Sequence, residues 1–173
     1  MPTKAQIVFA QQVYSAAKEA NTEIDAAFVT AQAMLETGWG KKVIGKANLF
    51  GITKGSQWDG DIVMVKTHEY FKTPDQKLKA PDRILSVCKV KGKNLWYYTV
   101  ERAFKDFDSL ADCLKEHERL FKKSGYKDAW PYRKDPLTFA RKICDGVGCK
   151  YATDPAYLTT ITSIIKTVQK KCK

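Results

Sequence analysis

Glu36 stands where a carboxyl group could serve as an acid. It lies at the end of a segment, residues 25–37, that is rich in alanine and apolar nearly all round, and Gly38 follows as a residue suited to ending a helix. Apolar surroundings disfavour the charged form of a carboxyl, and so does the negative end of a helix dipole. Both effects raise the pKa and would keep the group protonated near neutral pH, as a general acid requires. The alternative is an exposed glutamate in the last helical turn.

Three aromatic residues lie in the glycine-rich loop that follows, residues 38–60. Because an aromatic ring has a flat apolar face and a polar edge, Trp39, Phe50 and Trp58 offer surfaces on which a ligand could stack. For Trp39, directly behind Gly38, a place in the core is an equally good interpretation.

Three short blocks of the chain occur together, in this order, in one enzyme family. They are Leu-Glu-Thr-Gly-Trp-Gly at 35–40, Asn-Leu-Phe-Gly-Ile at 48–52 and Tyr-Ala-Thr-Asp-Pro-Ala-Tyr at 151–157. In these blocks the chain resembles the bacterial peptidoglycan N-acetylglucosaminidases of glycoside hydrolase family 73, which include flagellar wall-piercing enzymes, autolysins and phage lysins. The stretch 103–109 resembles the family's segment before the next helix. The resemblance covers nearly the whole chain, from the second helix to the last.

The resemblance implies roles for individual residues. Glu36 matches the family's catalytic acid, and Glu69 matches an acidic residue often proposed as the second carboxylate. Tyr151 matches a tyrosine that lines the cleft and is implicated in catalysis. The predicted substrate-binding set joins the three aromatic residues above, which could stack on the faces of sugar rings, to Asn48 and Tyr157 from the matching blocks.

The second carboxylate has alternatives. Glu69 could be a surface glutamate paired with Lys66 or Lys72, and Asp59 and Asp61 are weaker candidates beside a turn glycine. Carboxyl groups about 5–5.5 Å apart favour a retaining glycosidase, and ~6.5–9.5 Å favours an inverting one. The 2-acetamido group of the substrate could also replace the second carboxylate.

Other candidates have structural interpretations. Tyr151 could pack in the core under the last helix. His68 and His117 are expected as packing or surface residues rather than as ligands, and Asp154 as a helix cap before Pro155.

The periodicity of the sequence predicts the elements that would position these residues. Apolar stripes predict helices at 4–20, 25–37, about 109–122 and 135–145, and a last helix starting at 154–155. Segments 61–71 and 96–104 are rich in β-formers and predict two strands, with the polar and basic residues 72–93 as a long exposed hairpin tip between them. On the first strand, one face would carry Val63, Val65, Thr67 and Glu69.

The predicted fold is α+β and lysozyme-like. A mainly helical lobe and a small β-hairpin lobe, about residues 58–104, would flank a substrate cleft. The whole chain, 1–173, is expected to be a single glucosaminidase domain.

Composition and charge restrict the partners. The 173 residues carry 30 Lys and Arg against 19 Asp and Glu, a net charge of +11, which favours a polyanionic partner such as nucleic acid, an anionic membrane surface or a cell wall. No run of about 18 apolar residues is present, so no membrane span is expected. The first residues lack the pattern of a secretory signal, which leaves the export route open.

Cysteine and histidine are too sparse to predict a metal site. The five cysteines include no Cys-x-x-Cys pair, and the chain has two histidines, so no metal or cofactor is expected. Cys144 and Cys149 could form a disulfide, with buried free thiols as an equal alternative.

We expect a monomeric peptidoglycan hydrolase that cleaves the β-1,4 bond between N-acetylglucosamine and N-acetylmuramic acid in the bacterial cell wall, in the periplasm or outside the cell. A muramidase or lytic transglycosylase on the same fold is an alternative. So are a wall-binding protein without activity and a non-catalytic module that binds nucleic acid through lysines and the aromatic residues 96–98. Residues 72–95 have no clear counterpart in the family, and Lys150 stands where the family usually has glycine.

Overall fold

The computed structural model describes residues 2–145, 151 and 156–172, and the chain divides into two compact units. The helical unit comprises Met1–Phe50 with Phe107–Lys173, and the sheet unit comprises Gly51–Asp106. The helical unit contains α1 Lys4–Glu19, α2 Ala26–Glu36, α3 Leu110–Phe121, α4 Pro136–Asp145 and α5 Tyr157–Lys171, with short 3-10 turns at Ser124–Tyr126 and Trp130–Tyr132. The sheet unit contains β1 Ile62–Phe71, β2 Arg83–Lys89 and β3 Trp96–Lys105.

Helix α2 forms the centre of the helical unit and packs against α1, α4 and α5. Its N-terminus is capped by Asp25, whose side chain accepts a backbone N–H of the first turn at 2.8 Å. The predicted burial of this helix is confirmed, because residues 26–34 are all buried. Phe28 meets Phe121 and Phe139 edge to face, with ring centroids 6.1 and 4.8 Å apart, so its ring joins α3 and α4 to α2.

Helix α2 ends at Glu36 because the chain turns sharply after it. The hydroxyl of Thr37 donates to the carbonyl of Ala33 at 2.6 Å and accepts the N–H of Gly40 at 2.8 Å. Gly40 has a φ of +82°, and a Cβ at this position would lie 2.6 Å from the ring of Phe9, so the turn needs glycine. Glu36 is therefore held at the C-terminal end of a buried helix.

Helices α1, α3 and α5 each bury one face. Helix α3 is capped by Ser109, whose side chain accepts the N–H of Asp112 at 3.1 Å. The predicted start of the last helix at Asp154 and Pro155 lies outside the described residues. The buried faces comprise Ala10, Val13 and Ala17 in α1, Cys113, Leu114, His117 and Phe121 in α3, and Tyr157, Ile161, Ile164, Ile165 and Val168 in α5.

The sheet is antiparallel, with the strand order β1-β3-β2. Strands β1 and β3 pair over their whole length and place Glu69 opposite Tyr98. Burial alternates along β1, and the predicted face that carries Val63, Thr67 and Glu69 is the less exposed one. The sequence prediction is confirmed for both of these strands.

Strand β2 corrects the sequence prediction. Residues 72–93 are not one exposed hairpin tip, because Arg83–Lys89 pair with β3 as a third strand. Nearly all of this strand is exposed, so its sequence lacks the alternation that marks a half-buried strand. A register shift between Ile84 and Ser86 interrupts the pairing further. Such an edge strand gives little signal in a single sequence.

Candidate active site

Glu36 is the last residue of α2, and its carboxyl lies beside Tyr151. The residue as a whole is exposed, while the protein atoms around its carboxyl partly desolvate it. This burial raises the pKa of Glu36, and a hydrogen bond with Tyr151 acts in the opposite direction with a smaller effect. The direction of the shift is the one that the sequence predicts.

Tyr151 has a packed ring and a hydroxyl in the candidate site. Its backbone N–H donates to the carbonyl of Ile143 near the end of α4 at 3.1 Å. Its ring stacks on Phe121, with centroids 5.6 Å apart, and lies 6.4 Å from Tyr126. Burial raises the pKa of Tyr151 well above its ordinary value, so the hydroxyl keeps its proton and can donate to Glu36. The core and site interpretations of Tyr151 are therefore compatible.

Gln32 connects the residues behind Glu36. It lies one helical turn before Glu36 and is fully buried. Its Nε2 donates to the Tyr157 hydroxyl at 3.0 Å, and its Oε1 lies 2.7 Å from Nε2 of His117. Gln32 also hydrogen-bonds with Tyr151. We call Gln32, His117, Tyr151 and Tyr157 the Gln32 network.

Gln32 is not among the residues predicted from the sequence, although the sequence holds one signal for it. An amide in a helix that is otherwise apolar must find hydrogen-bond partners once the helix is buried. Its spacing of four residues before Glu36 places both side chains on one helix face. His117 was expected as a packing or surface residue, and it is buried with its ring stacked on Phe50 at a centroid distance of 3.8 Å.

The structure places the predicted substrate-binding residues of the helical unit in different surroundings. Trp39 is half-buried with a φ of +62°, and its backbone N–H donates to the carbonyl of Met34 at 2.7 Å. Asn48 is buried, and its side chain accepts the N–H of Phe50 at 3.3 Å, which shapes the turn. Phe50 covers His117, and Tyr157 is 7% exposed. Their roles toward a substrate stay predictions.

The sheet unit holds Glu69 and Trp58. The Glu69 carboxylate forms an ion pair with Arg102 at 3.4 Å, and Arg102 also reaches Asp82 at 3.4 Å. The alternative partners that the sequence suggests are lysines; the partner found is an arginine. Trp58 donates its indole N–H to the carbonyl of Asp61 at 2.9 Å, and the Lys105 ammonium lies 4.4 Å from its ring centroid.

Within the helical unit, the structure brings Glu36, Tyr151 and Tyr157 together around Gln32. Glu69 and Trp58 belong to the sheet unit. A carboxyl with a raised pKa and a neutral hydroxyl donor beside it can deliver a proton to a leaving group and accept a hydrogen bond once it has lost that proton. The cluster in the helical unit is therefore a candidate general-acid site.

Neither a metal site nor a membrane span is found in the part of the chain that the structure describes. Among those residues, no three His, Cys, Asp or Glu side chains are grouped so that they could hold a metal ion. None of the described helices has the length and apolar character needed to cross a membrane. The predicted pairing of Cys144 with Cys149 cannot be placed, because Cys149 lies outside the described residues.

Comparisons with known proteins identify relatives over most of the chain. The peptidoglycan hydrolase FlgJ of Vibrio cholerae is 44% identical over 147 residues, which are 82% of this chain and 36% of that protein. The peptidoglycan hydrolase FlgJ of Pseudomonas aeruginosa is 32% identical over 152 residues, which are 84% of this chain and 32% of that protein. The chain thus spans about a third of the length of these curated relatives.

The fold and the family agree with the sequence prediction. The C-terminally truncated glycoside hydrolase domain of FlgJ from Salmonella typhimurium matches with a TM-score of 0.69 at 21% identity, covering 95% of this chain and 98% of that one. The α+β, lysozyme-like fold class is therefore confirmed. The family model described as mannosyl-glycoprotein endo-beta-N-acetylglucosaminidase matches residues 10–170. The chain accordingly belongs to the glucosaminidase family of glycoside hydrolases, as the resemblance implied.

Proposed function

We propose that the chain is a peptidoglycan hydrolase that cleaves the β-1,4 bond between N-acetylglucosamine and N-acetylmuramic acid, with Glu36 as the general acid. The observation that carries the proposal is the Glu36 carboxyl, whose pKa burial raises while the Tyr151 hydroxyl hydrogen-bonds to it. Membership of the glucosaminidase family supports the reaction, and the names of the relatives support the substrate. The net charge of +11 suits an anionic wall polymer.

The mechanism starts with proton transfer from Glu36. Cleavage of a glycosidic bond needs a proton on the leaving oxygen and passes through an oxocarbenium-like transition state that the enzyme must stabilise. Protonated Glu36 donates that proton and becomes a carboxylate. Tyr151, which keeps its proton, then donates a hydrogen bond to the new carboxylate and stabilises it.

Glu69 is proposed as the second carboxylate. Arg102 restricts the position of its side chain on the sheet. In this role Glu69 activates water or attacks the sugar carbon, and the 2-acetamido group of the substrate is the alternative. The proposed glycan contacts are Trp39, Asn48, Phe50, Trp58 and Tyr157. Of these, Trp39, Phe50 and Trp58 would stack on sugar faces.

We also propose that residues 1–173 form a single glucosaminidase domain. Its substrate would be the glycan strands of the bacterial wall, and its place of action the periplasm or the cell exterior. The family match over residues 10–170 supports the single domain, and the wall-active names of the relatives support the location.

Analysis of the cleavage products tests the reaction. Purified peptidoglycan is digested, reduced with borohydride and examined by mass spectrometry. Reduced glucosamine ends are expected. Reduced muramic ends would instead identify a muramidase, anhydro-muramic ends a lytic transglycosylase, and no release a binding protein.

The Glu36→Gln variant tests the acid and should release no product while still binding the wall. The matched control is Glu19→Gln, because Glu19 is also an exposed glutamate at the last position of a helix, α1. The control should release the same products as the wild type.

A further inference from the structure

We infer that Gln32 and His117 are positioning residues, which fix the hydroxyl of Tyr151 so that it donates to Glu36. This inference rests on the proposed function, because it assigns a task to the residues behind the proposed acid. These residues form a buried chain of hydrogen bonds, and the direction in which each bond donates decides whether Tyr151 can donate to Glu36. The chain runs from α3 through α2 to the carboxyl at the end of α2.

The Gln32 amide has one acceptor and two donors to place. The acceptor, Oε1, lies 2.7 Å from Nε2 of His117, and the donor, Nε2, lies 3.0 Å from the Tyr157 hydroxyl. Tyr151 shares a hydrogen bond with the same amide. The Gln32 amide therefore has three partners inside the helical unit, where its side chain is fully buried.

The protonation of His117 determines whether the oxygen or the nitrogen of the Gln32 amide faces the ring. Burial lowers the pKa of His117 to about 3, so the ring is neutral and carries one N–H. Its Nδ1 is buried without a hydrogen-bond partner among the described residues. A buried N–H without a partner is rarer than a buried acceptor without one. The proton therefore belongs on Nε2, which donates to Oε1 of Gln32 and leaves the amide N–H groups for the tyrosines.

The orientation of the amide sets the direction of the next bonds. When Gln32 donates to the oxygen of Tyr151, the phenolic O–H is left to donate to Glu36. With the amide reversed, Tyr151 would donate to Gln32, and Glu36 would lose its donor.

Aromatic packing keeps the His117 ring in place. The Phe50 ring stacks on it at 3.8 Å, and the Phe121 ring meets it edge to face at 5.0 Å. Phe121 also stacks on Tyr151, so the same ring contacts both His117 and Tyr151. The other titratable groups that face the tyrosines of this network are Tyr126, from the turn after α3, and Cys144, from α4.

The first experiment compares Gln32→Met with Tyr151→Phe, using the dependence of kcat/KM on pH. A general acid works only while it is protonated, so activity falls as pH rises through the pKa of Glu36. Removing a donor to the carboxylate raises that pKa. In both variants the alkaline limb of the kcat/KM profile should therefore move to higher pH by roughly one unit. The double variant should move it no further than Tyr151→Phe alone.

The control for this experiment is Thr30→Val, in the same buried helix. Its hydroxyl is buried without a hydrogen-bond partner among the described side chains, and valine matches its shape. The control should keep the alkaline limb of the wild type. An unshifted limb in a folded, active Gln32→Met variant overturns the inference, and so does a double variant whose shift is the sum of the two single shifts.

The second experiment needs no activity and uses the wild-type chain. Nitrogen NMR shifts report which ring nitrogen carries the proton, and the assignment is simple because the chain has two histidines, His68 and His117. The expected result is protonation of Nε2 in His117 between about pH 5 and 8. Protonation of Nδ1 overturns the inference. An active Glu36→Gln variant would instead overturn the proposed function, whatever tautomer His117 adopts.

Discussion

The helical unit and the sheet unit each hold one of the two predicted carboxylates, in surroundings that differ in kind. Glu36 ends a buried helix, and its neighbours are neutral groups: a tyrosine hydroxyl, then an amide, then an uncharged imidazole. Glu69 lies on a half-exposed strand face, and its neighbour is the guanidinium of Arg102. Neutral donors stabilise a carboxylate less than a full positive charge does. Burial is therefore the larger influence on the pKa of Glu36.

The different surroundings of Glu36 and Glu69 suit different roles for the two carboxyl groups. Glycosidases assign different tasks to two carboxyl groups by giving them different environments. A carboxyl with a raised pKa suits the acid, and a carboxylate beside a cation suits the anionic partner. Four experiments can break or sharpen this comparison.

The largest expected effect is the loss of activity in Glu36→Gln. The amide cannot donate an acidic proton, and positioned acid catalysis contributes roughly 10²- to 10⁴-fold to rate, so we expect a loss of that size. Initial rates of reducing-end release from peptidoglycan measure it, with Glu19→Gln as the control. Thermal denaturation should show a folded variant, since the residue is exposed. A rate within about twofold of the wild type would remove Glu36 from the mechanism.

Glu69→Gln should cost less, roughly 10-fold, because the 2-acetamido group of the substrate can replace the second carboxylate. The same rate assay measures the loss. The matched control is Glu101→Gln on β3, whose carboxylate pairs with Arg83 on the same sheet. A loss as large as that of Glu36→Gln would make Glu69 indispensable, whereas full activity would exclude it from catalysis.

The pH profile of the wild type is the third test. Burial raises the pKa of Glu36 above the ordinary value of about 4.3, so kcat/KM should fall at a higher pH than for an exposed glutamate. Carbon NMR of the Glu36 carboxyl, which is absent in Glu36→Gln, identifies the group that titrates. A carboxyl that ionises in the ordinary range would remove the physical basis for the acid assignment.

The sequence predicts the framework of the helical unit well because the framework rests on local patterns. The run of small and apolar residues in 25–37 predicts a buried helix, and Gly38 predicts its end; both are found. The alternation along Val63, Thr67 and Glu69 predicts the face of β1, which is also found. Each of these patterns lies within one element, where periodicity is informative.

The features that the sequence does not predict depend on distant contacts. Gln32 and His117 are 85 residues apart, so no local pattern joins them. Arg102 pairs with Glu69 because β1 and β3 lie side by side, whereas the sequence suggests the nearer Lys66 and Lys72. Strand β2 was missed because it is exposed on both faces. In each case the partner is set by tertiary packing.

The smallest expected effect concerns stability and salt. Arg102→Gln removes two partly exposed ion pairs, with Glu69 and Asp82, and should lower the free energy of unfolding by about 0.5–1 kcal/mol. Gln32→Met leaves buried partners without hydrogen bonds and should lower it by about 1–3 kcal/mol. Urea denaturation at low and high sodium chloride concentrations measures both.

Salt separates the two regions, because screening weakens partly exposed charges and leaves buried neutral hydrogen bonds unchanged. The cost of Arg102→Gln should therefore shrink in high salt, while the cost of Gln32→Met should stay constant. If the cost of Gln32→Met in free energy of unfolding depended on salt, the Gln32 network would carry a charge, either on His117 or through Glu36. The proposed acid, Glu36, would then lie beside a charged group, and the contrast between its neutral surroundings and those of Glu69 would no longer hold.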